Sequence, residues 1–193
     1  TILIWLIYFL NLLNLYFLAG WLPAVAKAAG HSTTASALLG TMEQVGGIFG
    51  ALALGWFVHR LGFVSTLTTC FLIASVSVAF IGWPGLSAGV LFAVVFVAGF
   101  GIVGGQAGVN SLTGIYYPTE LRSTGLGAGL GIGRFGSIAG PIIAGVLLSR
   151  HWSDQQLFLA AAVPALLSAG LMISMRWLIK PAAISTKSEA AGD

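Results

Sequence analysis

The stretch TELRSTGLGAGLGIGRFGSIAGP, Thr119–Pro141, decides the reading of this chain. Between Arg122 and Arg150 every side chain is apolar, small or a neutral hydroxyl, except Arg134, which falls almost midway. Glycine recurs at three- and four-residue spacing, which brings small residues onto shared faces of a helix. One such face holds Gly125, Gly129, Gly133, Gly136 and Gly140 and reads as a close-packing seam. Its neighbour holds Gly127, Gly131, Arg134, Ile138 and Pro141 and leaves room for a ligand or a partner helix. A guanidinium keeps its proton and costs about 2.5 to 3.5 kcal/mol at the centre of a membrane helix on insertion scales, so something must compensate it. The candidates are an anionic ligand and a permanent partner within the protein, either a carboxylate or backbone carbonyls.

The surrounding sequence explains why that stretch is a membrane helix. Of 193 residues, 58% are hydrophobic and 7% charged, against roughly 25% charged in soluble domains. A bilayer core needs about 20 apolar residues per helical span. Six spans are predicted: Thr1–Leu22, Thr33–Val58, Val64–Gly82, Ser87–Tyr116, Ser123–Leu148 and Gln155–Leu178. Strands are excluded by the lack of alternation and by 27 glycines within apolar runs, which packed membrane helices tolerate. Residues 1–180 are therefore expected to form an all-α transmembrane bundle, and 181–193 a disordered tail. The chain opens at Thr1 with no basic region before its first span, and it reads as a piece of a larger protein.

Lys and Arg divide unequally between the two sides. Arg60, Arg122, Arg176, Lys180 and Lys187 fall on one, Lys27 and Arg150 on the other. The positive-inside rule makes the first side cytoplasmic, and with it the C-terminus. The net charge of +3 thus reports topology and gives no reason to invoke nucleic acid. Cys70 is alone, and His31, His59 and His151 lie in separate connections, so no metal site and no cofactor are expected. Gly131, Gly133 and Gly136 spell a dinucleotide fingerprint, but no strand precedes them.

Sliding the sequence by 90 residues superposes the second span on the fifth: Gly46, Gly50, Gly55 and Arg60 land on Gly136, Gly140, Gly145 and Arg150, and Gln44 on Arg134. These spans cross in opposite directions, which predicts inverted three-helix repeats of the kind that build secondary transporters. In the fourth span Gln106, Asn110, Thr113 and Tyr117 form one stripe, and Asn11 and Asn14 lie a turn apart in the first. Such residues either line a cavity or bond helices together. Glu43 is the one carboxylate at membrane depth; it is a candidate for proton coupling, for a hydrogen bond to a neighbouring helix, or for pairing with Arg134.

The run YYPTELRSTGLGAGLGIGRFGSIAGP, Tyr116–Pro141, with GWFVHRLGF, Gly55–Phe63, resembles the carboxyl-terminal half of the major facilitator superfamily. More narrowly, it is similar to the aromatic acid:proton symporters, the 4-hydroxybenzoate and benzoate transporters. The resemblance implies a twelve-helix carrier of the inner membrane, with an N-terminal six-helix half beyond this chain and an organic anion and protons as its cargo. Arg134 then stands where the substrate carboxylate is attracted, with Asn14, Gln106 and Asn110 lining the cavity, Glu43 as the proton-coupling candidate, and Glu120, Arg122 and Arg60 at the gate. His59 departs from the superfamily pattern G-x-x-x-D-R-x-G by replacing its acid. Carriers of other organic ions share much of this pattern and are the alternative. An intramembrane enzyme would need a paired acid, a Ser with a base or a metal cluster at depth, which the sequence does not supply. A sensor built on a carrier scaffold stays open.

Overall fold

The computed structural model describes residues 1–28, 30 and 32–178. The expected tail, with Lys180 and Lys187, lies outside the described residues, as does His31. Among the described residues are six α-helices: α1 (Ile2–Ala28), α2 (Thr33–Leu61), α3 (Phe63–Ile81), α4 (Ala88–Tyr116), α5 (Arg122–Ser149) and α6 (Asp154–Leu178), with one 3₁₀ turn at Thr119–Leu121. All six are long and apolar enough to cross a membrane.

Their ends follow local chemistry. The Ser32 hydroxyl accepts from the Ala35 amide at 3.1 Å and opens α2, satisfying a donor that the first turn leaves free. Gly62, with φ 78°, closes α2 as its amide reaches the Val58 carbonyl, in a backbone conformation that favours glycine. The one large departure from the expected spans is α1, which continues past Leu22 through Pro23 to Ala28. Proline removes one amide donor, and a membrane helix absorbs that loss where neighbouring groups satisfy the freed carbonyl.

Two helix pairs hold the bundle together, and the same contact is made twice. On α2, a Cβ at Gly46 would strike the Phe96 carbonyl and approach the Phe100 amide of α4. On α5, a Cβ at Gly136 would strike the Phe9 carbonyl and approach the Leu13 amide of α1. Gly50 meets the Phe100 carbonyl just as Gly140 meets that of Leu13. Positions 46 and 50 map to 136 and 140 by the 90-residue offset, while 96 and 100 map to 9 and 13 by one of 87. The contact α2–α4 is therefore the internal-symmetry copy of α5–α1, which is what inverted α1–α3 and α4–α6 repeats require. Helices in lipid gain no hydrophobic drive toward each other, so these glycines supply stability by letting backbones touch.

The third helix of each repeat completes the bundle. α3 packs on α6, where the Ser75 hydroxyl donates to the Ala162 carbonyl at 2.9 Å. Gly101 of α4 rests on the Cys70 carbonyl and Ala74 of α3. One apolar cluster joins Phe17, Leu18, Leu39, Val95 and Phe158, and a second joins Ile4, Tyr8, Leu67, Phe71 and Met172.

Candidate functional site

The glycine pattern of α5 sorts as its spacing predicts. Gly125, Gly129, Gly133, Gly136 and Gly140 are all buried, packed in turn on Tyr117, Tyr8, Leu12, Phe9 and Leu13. Gly127 and Gly131 meet nothing: a Cβ on either would have no neighbour within 4 Å. Arg134 follows Gly131 on that open side and is exposed, as are Phe135 and Ile138.

The Arg134 guanidinium is held by a residue that sequence reasoning missed. Its Nη1 donates to the Tyr16 hydroxyl of α1 at 3.0 Å. Tyr16 is half-buried, and its phenol is uncharged when it accepts this bond. The bond orients the guanidinium without neutralising it and uses one of five N–H donors. Pairing with Glu43, one of the compensations open to Arg134, is not formed: both Glu43 carboxylate oxygens are buried without a protein hydrogen-bond partner. A planar cation with free donors in a fork fits a carboxylate bidentately.

The asparagine and glutamine residues form a seam between α1 and α4. Asn11 Nδ2 donates to the Ile102 carbonyl at 3.1 Å and to Gln106 Oε1 at 2.9 Å. Gln106 Nε2 donates to Asn110 Oδ1 at 3.1 Å, and the Tyr8 hydroxyl donates to the same oxygen at 2.8 Å. Gln106 and Asn110 are half-buried, whereas Tyr8 and Asn11 are buried. Tyr8 is the second residue missed, because an aromatic ring in an apolar helix carries no signal of its neighbour. Farther along the stripe, Thr113 bonds back to the Val109 carbonyl at 2.7 Å and Tyr117 covers Gly125.

Asn14, expected at the cavity, is 1% exposed and lies inside the bundle, with neither its oxygen nor its nitrogen partnered in the protein. Glu43 is likewise 1% exposed. Its backbone abuts Gly99 of α4, so its side chain enters the bundle from the α2–α4 contact.

The residues expected at a gate gather at one end. Arg60 closes α2 with its guanidinium carbon 5.5 Å from the centre of the Trp56 ring, a cation–π distance. Glu120 lies in the 3₁₀ turn before α5 and Arg122 opens that helix, both exposed. A cavity of about 610 Å³ lies at the other end, between Leu22, Trp83, Asp154 and Phe158, and does not include Arg134. Among the described residues no group of three His, Cys, Asp or Glu side chains is placed to hold a metal.

The chain is 35% identical to the 4-hydroxybenzoate transporter of Pseudomonas aeruginosa, over 90% of this chain and 39% of that protein. It is 35% identical to the gallate transporter of Pseudomonas putida, over 88% of this chain and 38% of the relative. It is 30% identical to the benzoate transport protein of Acinetobacter baylyi, over 96% of this chain and 40% of the relative. The chain thus spans about two fifths of the length of the relatives it matches. Residues 4–192 match the Major Facilitator Superfamily, and with six membrane-length helices in two inverted repeats the chain belongs to that superfamily of membrane carriers.

Proposed function

We propose that this chain is the C-terminal half of a proton-coupled carrier that takes up aromatic carboxylates of the benzoate and hydroxybenzoate class. The observation that carries the reading is Arg134: a membrane-depth cation on the open face of the bundle, oriented by a neutral phenol. In the complete carrier that face meets a second six-helix half, and the substrate carboxylate binds between them on the Arg134 fork. Gln106 and Asn110, half-buried at the seam between α1 and α4, are the further residues assigned to the cavity lining. The transporters of 4-hydroxybenzoate, gallate and benzoate among the relatives support this substrate class.

Alternating access moves the cavity from one side of the membrane to the other by rocking of the two halves. The excess of Lys and Arg supports a cytoplasmic position for the end with Arg60 and Arg122, in a bacterial inner membrane. Glu120, Arg122 and Arg60 then stand at the cytoplasmic gate, where their contacts form and break as the cavity changes sides. Proton entry down its gradient supplies the energy for accumulation.

Uptake of labelled 4-hydroxybenzoate by vesicles containing the complete carrier tests this reading. A proton gradient is expected to drive accumulation, and benzoate to compete. Uptake that aliphatic acids, sugar acids or organic cations inhibit and benzoate does not would assign the carrier to one of those classes instead.

A further inference from the structure

The polar groups inside the bundle lie on the other side of α1 from Arg134. Asn14 and Tyr16 are two positions apart, which is about 200° around a helix that turns about 100° per residue. Tyr16 faces α5 and takes the Arg134 hydrogen bond. Asn11, three residues before Asn14 and so on the same side, faces α4 and bonds to Ile102 and Gln106. α1 therefore separates the open region with the cation from one without it, where Gln106 and Asn110 stay half-buried and the part beside Asn14 is sealed.

The sealed region contains Glu43, and the elements packed round it offer no counter-charge. α4 has no Asp, Glu, Lys, Arg or His between Ala88 and Tyr116. α1 brings Tyr8, whose hydroxyl is committed to Asn110, Tyr16, committed to Arg134, and Lys27 in its last turn. On α2 itself, His59 and Arg60 are more than four turns away, in the last turn of the helix. Ser36, two turns before Glu43 on the same face, is buried with its hydroxyl unpartnered, and Asn14 is buried with its whole amide unpartnered. An ionised carboxylate buried without a partner costs several kcal/mol, whereas a protonated one is a neutral group that donates one hydrogen bond.

We infer that Glu43 is a proton-binding site enclosed within this half, on the opposite side of α1 from the Arg134 anion site, so that proton and anion are coupled through movement of α1 and not by contact between the two charges. The proton comes from water when the bundle opens, bonds to a carboxylate oxygen, and returns to water on the other side of the membrane; no other bond changes. Movement of α1 that changes the Tyr16–Arg134 contact also changes the packing of Asn14 and Asn11 beside α4, and with it the access of water to Glu43.

This inference rests on the proposed symport, and its test separates the two. The complete carrier is reconstituted in liposomes as wild type, Glu43→Gln and Tyr16→Phe, and three quantities are measured: accumulation of 4-hydroxybenzoate driven by a proton gradient, exchange of labelled for unlabelled 4-hydroxybenzoate without a gradient, and the infrared carboxyl difference between acidic and alkaline pH. Glu43→Gln is expected to lose accumulation and retain exchange, because glutamine imitates the protonated acid permanently. It should also lose one protonated-carboxyl band that wild type and Tyr16→Phe both show. Accumulation that persists in Glu43→Gln overturns the inference and leaves the symport standing. If Glu43→Gln loses exchange as well, the infrared band decides: its presence in wild type and absence in the variant supports the site, and its absence from wild type overturns it. If wild type neither accumulates nor exchanges aromatic acids, the proposed function fails, and the same band still decides whether Glu43 binds a proton.

Discussion

Arg134 and Tyr16 meet across the α1–α5 contact at 3.0 Å, two residues along α5 from Gly136, which brings the two backbones together. The two facts are connected. The glycine seam sets how closely α5 approaches α1, and that approach lets a phenol on α1 reach a guanidinium projecting from the next face of α5. The cation is positioned by packing, while most of its donors stay free for a ligand. The consequences for substitution follow from that division between seam and open face.

Arg134→Lys keeps the charge and loses the fork. A hydrogen bond to a charged group is worth about 1.5 to 3 kcal/mol, so one lost bond to the carboxylate lowers affinity by about ten- to a hundredfold. Substrate KM in vesicles should rise by that order, with the amount of carrier in the membrane unchanged. Lysine performing as well as arginine would exclude bidentate capture.

Tyr16→Phe removes the orienting hydroxyl and leaves the ring. This bond to a charged group is worth about 1.5 to 3 kcal/mol, but it orients the guanidinium and does not touch the substrate, so only part of it is felt in binding and affinity should fall less than for Arg134→Lys. Combining the two substitutions tests whether they act on one interaction: the double variant should be little worse than Arg134→Lys alone. Fully additive losses would show that Tyr16 acts independently of the guanidinium.

The glycine seams predict a contrast within a single helix. Gly136→Ala and its symmetry copy Gly46→Ala place a methyl group against a backbone carbonyl, and overpacking of this kind costs about 1 to 3 kcal/mol. Gly127→Ala and Gly131→Ala meet open space within this half and should cost it no packing, so their effect should be smaller. Thermal unfolding of the detergent-solubilised carrier reads the difference. Equal effects at Gly131 and Gly136 would contradict the division of α5 into a packed and an open face.

Asn11→Leu deletes both bonds that Asn11 makes to α4 and leaves Gln106 Oε1 without its donor. Interhelical hydrogen bonds in membranes average about 0.6 kcal/mol, so a loss of about 1 kcal/mol is expected, visible as a lower midpoint of thermal unfolding. An unchanged midpoint would show that the seam between α1 and α4 is held by apolar packing alone.

The six helices were legible because hydropathy and length constrain a membrane span more tightly than they constrain a soluble element. Only α1 ended far from its expected terminus: the span expected to end at Leu22 continues through Pro23 to Ala28. The glycine faces of α5 were legible because three- and four-residue spacing converts directly into a side of a helix. The repeat was legible from a 90-residue offset in one helix pair, and the paired carbonyl contacts of Phe96 and Phe9 now give it a physical basis. Tyr16 and Tyr8 were not legible, because a tyrosine in an apolar helix looks the same whether it faces lipid, headgroups or a partner. Spacing placed Asn11 and Asn14 on one side of α1 but could not say whether that side met a cavity or a neighbouring helix; the packing of α1 on α4 turns it inward. The choice of partners for Glu43 and Arg134 likewise depended on how α1 lies between their helices.

The most direct test of the Arg134 assignment compares binding of benzoate with that of benzamide, which has nearly the same shape and no charge, to the purified complete carrier and to its Arg134→Gln variant. The wild type is expected to prefer benzoate, and the variant to lose this preference while remaining folded. An undiminished preference for benzoate in Arg134→Gln would mean that another group recognises the anion.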